Sequence, residues 1–428
     1  MEIRGVFEEW SEYAGAKRLR QRHFPLQKVV SYAEDKIVTL TGVRRSGKSS
    51  LIMLLFQLLR SQGKDVAYLN AEDPRLDGFD ALDAFLAWFG DDGYMLIDEV
   101  TSVPGWDGWL ARVHEMTKPN LHLIVTSSKS YLQTPSNPLR GRSLHMDVHP
   151  LTFAERLSFK GLDIPKTVAG RGVLERELQD HLKYGGFPEV VLATEEGKKQ
   201  DLLTSYFREI LALDVGGAVG IETGVVNQFG RYLLRSPYFS ATACHNALQG
   251  AGYRIGKEKV LSMESAAADC LLFHFLQVHS HSIKDLNRYS RKVHPGDLGF
   301  YWSVAGGEDQ GRKLETLVFL EVMKARSYGD ELAYWRNAKG QEVDLLLLSR
   351  GKVRQAIQVC YDISNEKTMQ REVEGLRLCS QDLDVEECLI VNRDRSGEID
   401  MDGRKVRLLS VLDFLSGGNV PLPGKSSP

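Results

Sequence analysis

Eight residues, Gly42 to Ser49 in the run GVRRSGKS, have the spacing Gly-x-x-x-x-Gly-Lys-Ser, with an apolar run, KIVTL, before them and a helical one, SLIMLLFQLLR, after. Gly42 and Gly47 let the backbone curl until consecutive N–H groups and the start of the next helix face a single anion. The loop Gly42, Val43, Arg44, Arg45, Ser46, Gly47, Lys48, Ser49 and Ser50 is therefore expected to hold the phosphates of a nucleotide. Lys48 would lie along the β and γ oxygens, and the Ser49 hydroxyl would serve Mg²⁺, a cation that prefers oxygen ligands. The plain alternative is a glycine turn before a helix. The strand and helix on either side argue against it.

A second run, YMLIDEV, ends an apolar strand in Asp98 and Glu99, and ligands gather at such strand ends in parallel sheets. Asp98 is expected to hold Mg²⁺ through water. Glu99 has the place of a base that polarises an attacking water, so a second acid points to hydrolysis rather than binding alone. The next apolar run, LHLIVTSS, closes in Thr126, Ser127 and Ser128, where Ser127 and Ser128 are read as polar sensors between the two motifs. In LRGR, Arg140 or Arg142 is expected to meet charge on the transferred phosphoryl group from a neighbouring subunit, with surface salt bridging as the alternative.

A third constellation lies in EVDLLLLSRGKVRQAIQVCYDI, Glu342 to Ile363, which reads as a two-stranded hairpin. Metal-dependent nucleases of the restriction-enzyme fold place an Asp on one such strand and Glu-x-Lys on the next. Here Asp344 and Glu315 remain, but Gln358 is neutral and Cys360 is an uncharged thiol, too soft for Mg²⁺. The expectation is a nuclease fold without nuclease chemistry.

Basic residues suggest where a phosphate backbone would lie. Arg254, Lys257 and Lys259 surround the start of a helix in RIGKEKVLSMESAAADCLLF. Lys284, Arg288, Arg291 and Lys292 flank Tyr289 in HSIKDLNRYSRKVH. For both groups the alternative is a solvated surface.

The elements that must position these residues follow from pattern and composition. The 428 residues suit two to four domains, and a net charge of −3 rules out a wholesale polycation, so contact with DNA would depend on local patches. Five cysteines, none spaced Cys-x-x-Cys, fit reduced thiols and argue against zinc. The longest apolar run, LIMLLFQLL, is about half a membrane span, so the reading is a cytoplasmic protein without a membrane partner. Residues 1–35 read as a helical lead-in whose basic segment is a solvated face, and 36–150 as strands alternating with helices, hence a parallel α/β core. Residues 151–235 read as a helical, lid-like segment, 236–297 as a winged helix-turn-helix, 298–416 as the nuclease-like α/β domain and 417–428 as a disordered tail.

The loop GVRRSGKS, then YLNAEDPRL, LIDEVTSVPGW, IVTSS, LRGRS, PLTFAE and YGGFPEVV occur in this order. With them the chain resembles prokaryotic AAA-type ATP-binding proteins that carry a C-terminal domain of unknown function 4143, and the likeness runs from about Arg18 to about Leu415. The resemblance implies an ATPase core related to the signal-transducing, STAND-like branch, with ATP and Mg²⁺ as cofactors, followed by a winged helix and a restriction-nuclease-like domain. The family usually has Gly after the strand-end Thr, whereas Ser127 stands here. Two readings of function follow. One is an ATPase that binds or remodels DNA as a motor, as a homo-oligomer in a hexamer-like ring; the other is a nucleotide-operated switch that binds a protein or DNA without moving along it. An active ATP-dependent nuclease is a third, weaker reading.

Overall fold

The computed structural model describes residues 3–76, 78–127, 137–163, 167–280, 289–307 and 309–416. The chain divides into two compact units, Met1–Pro150 with Asp269–Leu271, and Leu151–Ala268 with Leu272–Pro428.

The first unit is built on strands β1 (Ile37–Thr41), β2 (Val66–Asn70), β3 (Gly93–Asp98), β4 (Leu121–Ser127) and β5 (Ser143–Asp147). Their order is β2-β3-β4-β1-β5 and every pairing is parallel. A parallel sheet covered on both faces needs strands that are apolar throughout rather than alternating. β1 meets this requirement, with all five residues buried. One face packs on Phe7, Phe85, Trp109 and Leu110, the other on Leu51, Leu55, Phe56 and Leu59 of the helix Lys48–Ser61.

The lead-in contains the expected helix, Ile3–Ala16, but it is more than a solvated strip. Val6, Phe7 and Ala14 are buried, and the Trp10 indole N–H donates to Asp73 at 2.8 Å, just beyond the end of β2. Arg75 joins Asp73 at 2.6 Å and Glu9 at 2.8 Å, so the YLNAEDPRL run clamps this helix to the sheet.

In the second unit the segment 151–235 is helical, with Phe153–Phe159, Val168–Tyr184, Glu196–Ile210 and Thr223–Arg235 as its main helices. PLTFAE is a helix start. The Thr152 hydroxyl accepts the Glu155 N–H, and the Glu155 carboxylate accepts the Thr152 N–H. YGGFPEVV is a close approach between backbones: a Cβ on Gly186 would stand 2.2 Å from the Leu151 carbonyl oxygen. Next come β6 (Tyr238–Phe239), helices Ala241–Gly250 and Lys257–Asp269, β7 (Phe273–Leu276) and β8 (Arg291–Pro295). The three strands form an antiparallel sheet in the order β6-β8-β7.

The last part holds the helix Gln310–Ala325, then β9 (Glu331–Arg336), β10 (Glu342–Ser349), β11 (Lys352–Val359), β12 (Val385–Asn392), β13 (Gly397–Met401) and β14 (Arg404–Ser410). The sheet order is β13-β14-β12-β11-β10-β9, parallel where β11, β12 and β14 meet and antiparallel elsewhere. The expected hairpin is β10 and β11. Its two-residue turn, Arg350 and Gly351, has both φ angles positive, 51° and 76°, the geometry that suits the twist of a tight hairpin. The whole is an α/β protein with a parallel-sheet P-loop core and a C-terminal sheet domain.

Candidate functional site

The loop after β1 turns through Arg45 at φ 69° and Gly47 at φ 100° before the helix begins at Lys48. Gly47 is in the left-handed region, and Gly42 lies so close to the segment after β5 that a Cβ would stand 2.2 Å from the Val148 carbonyl oxygen. No side chain caps the helix start, leaving its first N–H groups to an anion. Ser46 is fully buried and its hydroxyl has no partner. The Lys48 ammonium donates to the carbonyls of Gly42 at 2.9 Å and Val43 at 3.3 Å, folded back over the cradle that a phosphate would share. Val43 is buried, Arg44 and Ser49 are half-buried, and Arg45 and Ser50 are exposed.

Beside the loop, β3 ends in Asp98, which is almost fully buried. Burial raises its pKa, while hydrogen bonds from Thr126, Ser49 and Tyr68 pull the other way and favour the carboxylate. Ser49 and Asp98, the two residues expected to serve Mg²⁺, are thus in direct contact. The polar group between the motifs is Thr126 rather than its neighbours. Its hydroxyl donates to one Asp98 oxygen and accepts the Glu99 N–H at 2.9 Å. Ser127 instead pairs with the Thr101 hydroxyl at 2.8 Å, one step removed, and Ser128 lies outside the described residues. Tyr68, on the adjoining β2, donates to the other Asp98 oxygen at 3.1 Å. Glu99 takes φ 51°, a left-handed turn that a glutamate adopts at a cost of about 1 kcal/mol, and is half-buried.

Sequence reasoning missed Tyr68 and also Arg22. Arg22 belongs to the basic segment read as a solvated face. Its guanidinium donates to the Ser46 carbonyl at 2.8 Å and the His149 carbonyl at 3.0 Å, fixing the loop to the segment after β5. The only sequence signal was an arginine in a run of arginines, which does not say which one turns inward.

Arg140 is exposed, and Arg142 pairs with Glu115 at 3.3 Å. Both precede β5, whose first residue Ser143 registers with Ile37 at the start of β1. The phosphate loop follows the other end of β1, a strand length away. Neither arginine is placed to reach the phosphate loop of its own chain.

The C-terminal constellation departs further from expectation. Asp344 lies beside Gln358, whose amide oxygen accepts the Asp344 N–H at 3.2 Å, while Asp344 Oδ2 accepts the Val359 N–H at 2.8 Å. Gln358 also donates to Glu372 at 2.6 Å. Cys360 is outside this cluster. β11 ends at Val359, and the thiol donates to the Asp362 carbonyl at 3.3 Å and joins the apolar core, where burial pushes it up to about 11. A cation is nevertheless present, and it is Lys292. Its ammonium lies 2.8 Å from Glu315, 2.7 Å from Glu342 and 2.7 Å from Asp344.

This corrects the reading of Lys292 as a DNA contact: its side chain is 5% exposed and its charge is already matched. Arg291 is likewise engaged, paired with Glu264 and stacked over Phe239 and Phe275 at 5.2 and 6.0 Å. Adjacent on β8, the two side chains leave opposite faces of the strand and each meets a carboxylate there, a placement that the basic composition alone does not reveal. Lys284 and Arg288 lie outside the described residues, as does the tail 417–428. Arg254, Lys257 and Lys259 are exposed at the start of the helix Lys257–Asp269, with Lys257 on the Thr242 hydroxyl and Lys259 on the Val219 carbonyl.

A P-loop, an acidic strand end and a parallel sheet define a nucleotide-binding protein of the P-loop class. Residues 34–157 match the AAA domain family and residues 310–408 the domain of unknown function 4143, so the chain carries an AAA domain followed by this C-terminal domain. A Methanocaldococcus jannaschii protein described as uncharacterised is 28% identical over 394 residues, covering 89% of this chain and 87% of that one. A Haemophilus influenzae protein, also described as uncharacterised, is 24% identical over 366 residues, covering 81% and 88%. Among solved structures, the Walker-type ATPase of Pyrococcus abyssi aligns with a TM-score of 0.42 at 14% identity, covering 68% of this chain and 99% of that one. A Thermotoga maritima RuvB variant aligns with a TM-score of 0.31 at 17% identity, covering 58% and 86%. Among the described residues no helix is long and apolar enough to cross a membrane.

Proposed function

We propose that the first unit hydrolyses ATP with Mg²⁺ and that self-association and DNA binding govern the reaction. The observation that carries this reading is the meeting of Lys48, Ser49, Asp98, Glu99 and Thr126 at the carboxyl ends of β1, β3 and β4. The uncapped helix start, the orphaned Ser46 hydroxyl and the close approach at Gly42 fit a triphosphate. Ser49 and Asp98 present the oxygen ligands that Mg²⁺ takes, and the ion when bound neutralises charge on the phosphates. Lys48 leaves its loop carbonyls to meet the β and γ oxygens. Glu99, its backbone fixed through Thr126, accepts a proton from the attacking water. Arg140 or Arg142 serves a neighbouring subunit, since each sits at the far end of β5 from its own loop.

DNA enters through Arg254, Lys257 and Lys259, exposed just before and on the first turn of the helix that we read as the second of a winged helix-turn-helix. A second reading, a nucleotide-operated switch with no motor activity, draws support from the internal pairing of Arg291 and Lys292, which shrinks the basic face. ADP release measured alone and with single-stranded, duplex and branched DNA separates the two. Stimulation whose salt dependence flattens by roughly one log–log unit for each of the three exposed cations neutralised supports the DNA reading. No affinity for any DNA at low salt supports the switch.

A further inference from the structure

The Lys292 ammonium has three N–H donors, and it has a carboxylate at hydrogen-bond distance for each: Glu315 from the helix Gln310–Ala325, and Glu342 and Asp344 from β10. The outer oxygens are also served. The Tyr238 hydroxyl, from β6, lies 2.8 Å from both oxygens of Glu342, and the Val359 N–H donates to Asp344. The adjoining cavity, lined by Pro237, Tyr238, His294, Arg312 and the four charged residues, measures about 80 Å³. That admits water but falls well short of the roughly 300 Å³ at which ligand pockets begin.

We propose that Lys292 is the resident cation of this carboxylate site, its ammonium filling as part of the chain the position that a divalent ion takes between such carboxylates. The C-terminal sheet domain is then independent of metal, and β8 is fixed to β10 and to the helix Gln310–Ala325 by charge rather than by apolar contact alone. This explains why Gln358 and Cys360 are tolerated. With the cation supplied from β8, β11 needs neither a further anionic ligand nor a lysine. The inference does not depend on the nucleotide reaction.

The test is Mn²⁺ binding to the full-length protein without nucleotide, followed by electron paramagnetic resonance, scoring only binding that Asp344→Asn abolishes. Wild type is expected to show none. Lys292→Met removes one partner of a buried cluster and is expected to lower Tm by about 6 °C or more in chelator. It is also expected to gain an Asp344-dependent Mn²⁺ ion that restores part of that stability. Asp344-dependent Mn²⁺ binding by wild type would overturn the proposal, and so would a lowered or unchanged Tm in Lys292→Met without Mn²⁺ uptake. Should Lys292→Met fail to fold, adding Asp344→Asn lessens the unbalanced charge and is expected to improve folding; equal failure of the two variants contradicts the proposal.

Discussion

Thr126 makes two hydrogen bonds with one hydroxyl, and both hold acidic residues in place: it donates to Asp98 and accepts from the backbone of Glu99. Thr126→Val keeps the shape but strands a buried N–H and a buried carboxylate oxygen. The expected cost is about 1–3 kcal/mol in unfolding free energy, with kcat falling more than nucleotide affinity, and Thr126→Ser is expected to restore most of both. Calorimetry and steady-state turnover on the same preparations check this. An unchanged kcat in Thr126→Val would remove the hydroxyl from any part in the reaction. The loop residues themselves were legible because each acts on near neighbours in sequence, Gly42 to Ser49 within one turn. Thr126, Tyr68 and Arg22 were not singled out because what they bind is set by sheet order. β2 and β4 both flank β3, although 28 residues separate Thr126 from Asp98 and 30 separate Tyr68 from it.

Between elements, the Gly185–Gly186 turn is pinned from a distance. Asp297 accepts the Gly186 N–H at 2.7 Å and the Gly299 N–H at 2.9 Å, with its carboxylate buried and its pKa pushed up to about 6 by that burial. A folded-state pKa above the ordinary 3.8 means that this group favours the fold most below about pH 4, and that its contribution is lost as pH rises through about 6. Asp297→Asn lacks that slope. Comparing urea midpoints of the two proteins from pH 4 to pH 7 should show wild type losing ground relative to the variant as pH rises, and parallel curves would contradict the assignment. The YGGFPEVV and PLTFAE runs are thus devices of backbone geometry. Their order in the sequence pointed to the family while their chemistry is structural. The hairpin β10–β11 was legible in the sequence, but the same reading grouped Cys360 with Asp344, Glu315 and Gln358. The strand ends one residue earlier, and the thiol turns into the core. The cation of that cluster comes from β8, 52 residues before Asp344, a pairing to which no local pattern points.

For the whole molecule, the proposed service of Arg140 or Arg142 to a neighbouring subunit would make turnover a property of an assembly. Specific activity is expected to rise with protein concentration. A variant neutralised at both arginines is expected to regain activity when mixed with Lys48→Ala, which lacks its own phosphate contact but still donates its arginines. Full activity in a sample shown by sedimentation to be monomeric would contradict this. Glu99 is the proposed base for ATP hydrolysis, so the most direct measurement compares ATP binding and single-turnover hydrolysis in wild type and Glu99→Gln. The variant is expected to bind Mg²⁺-ATP about as tightly as wild type and to turn it over at least ~100-fold more slowly. Equal rates of hydrolysis in the two proteins would contradict it.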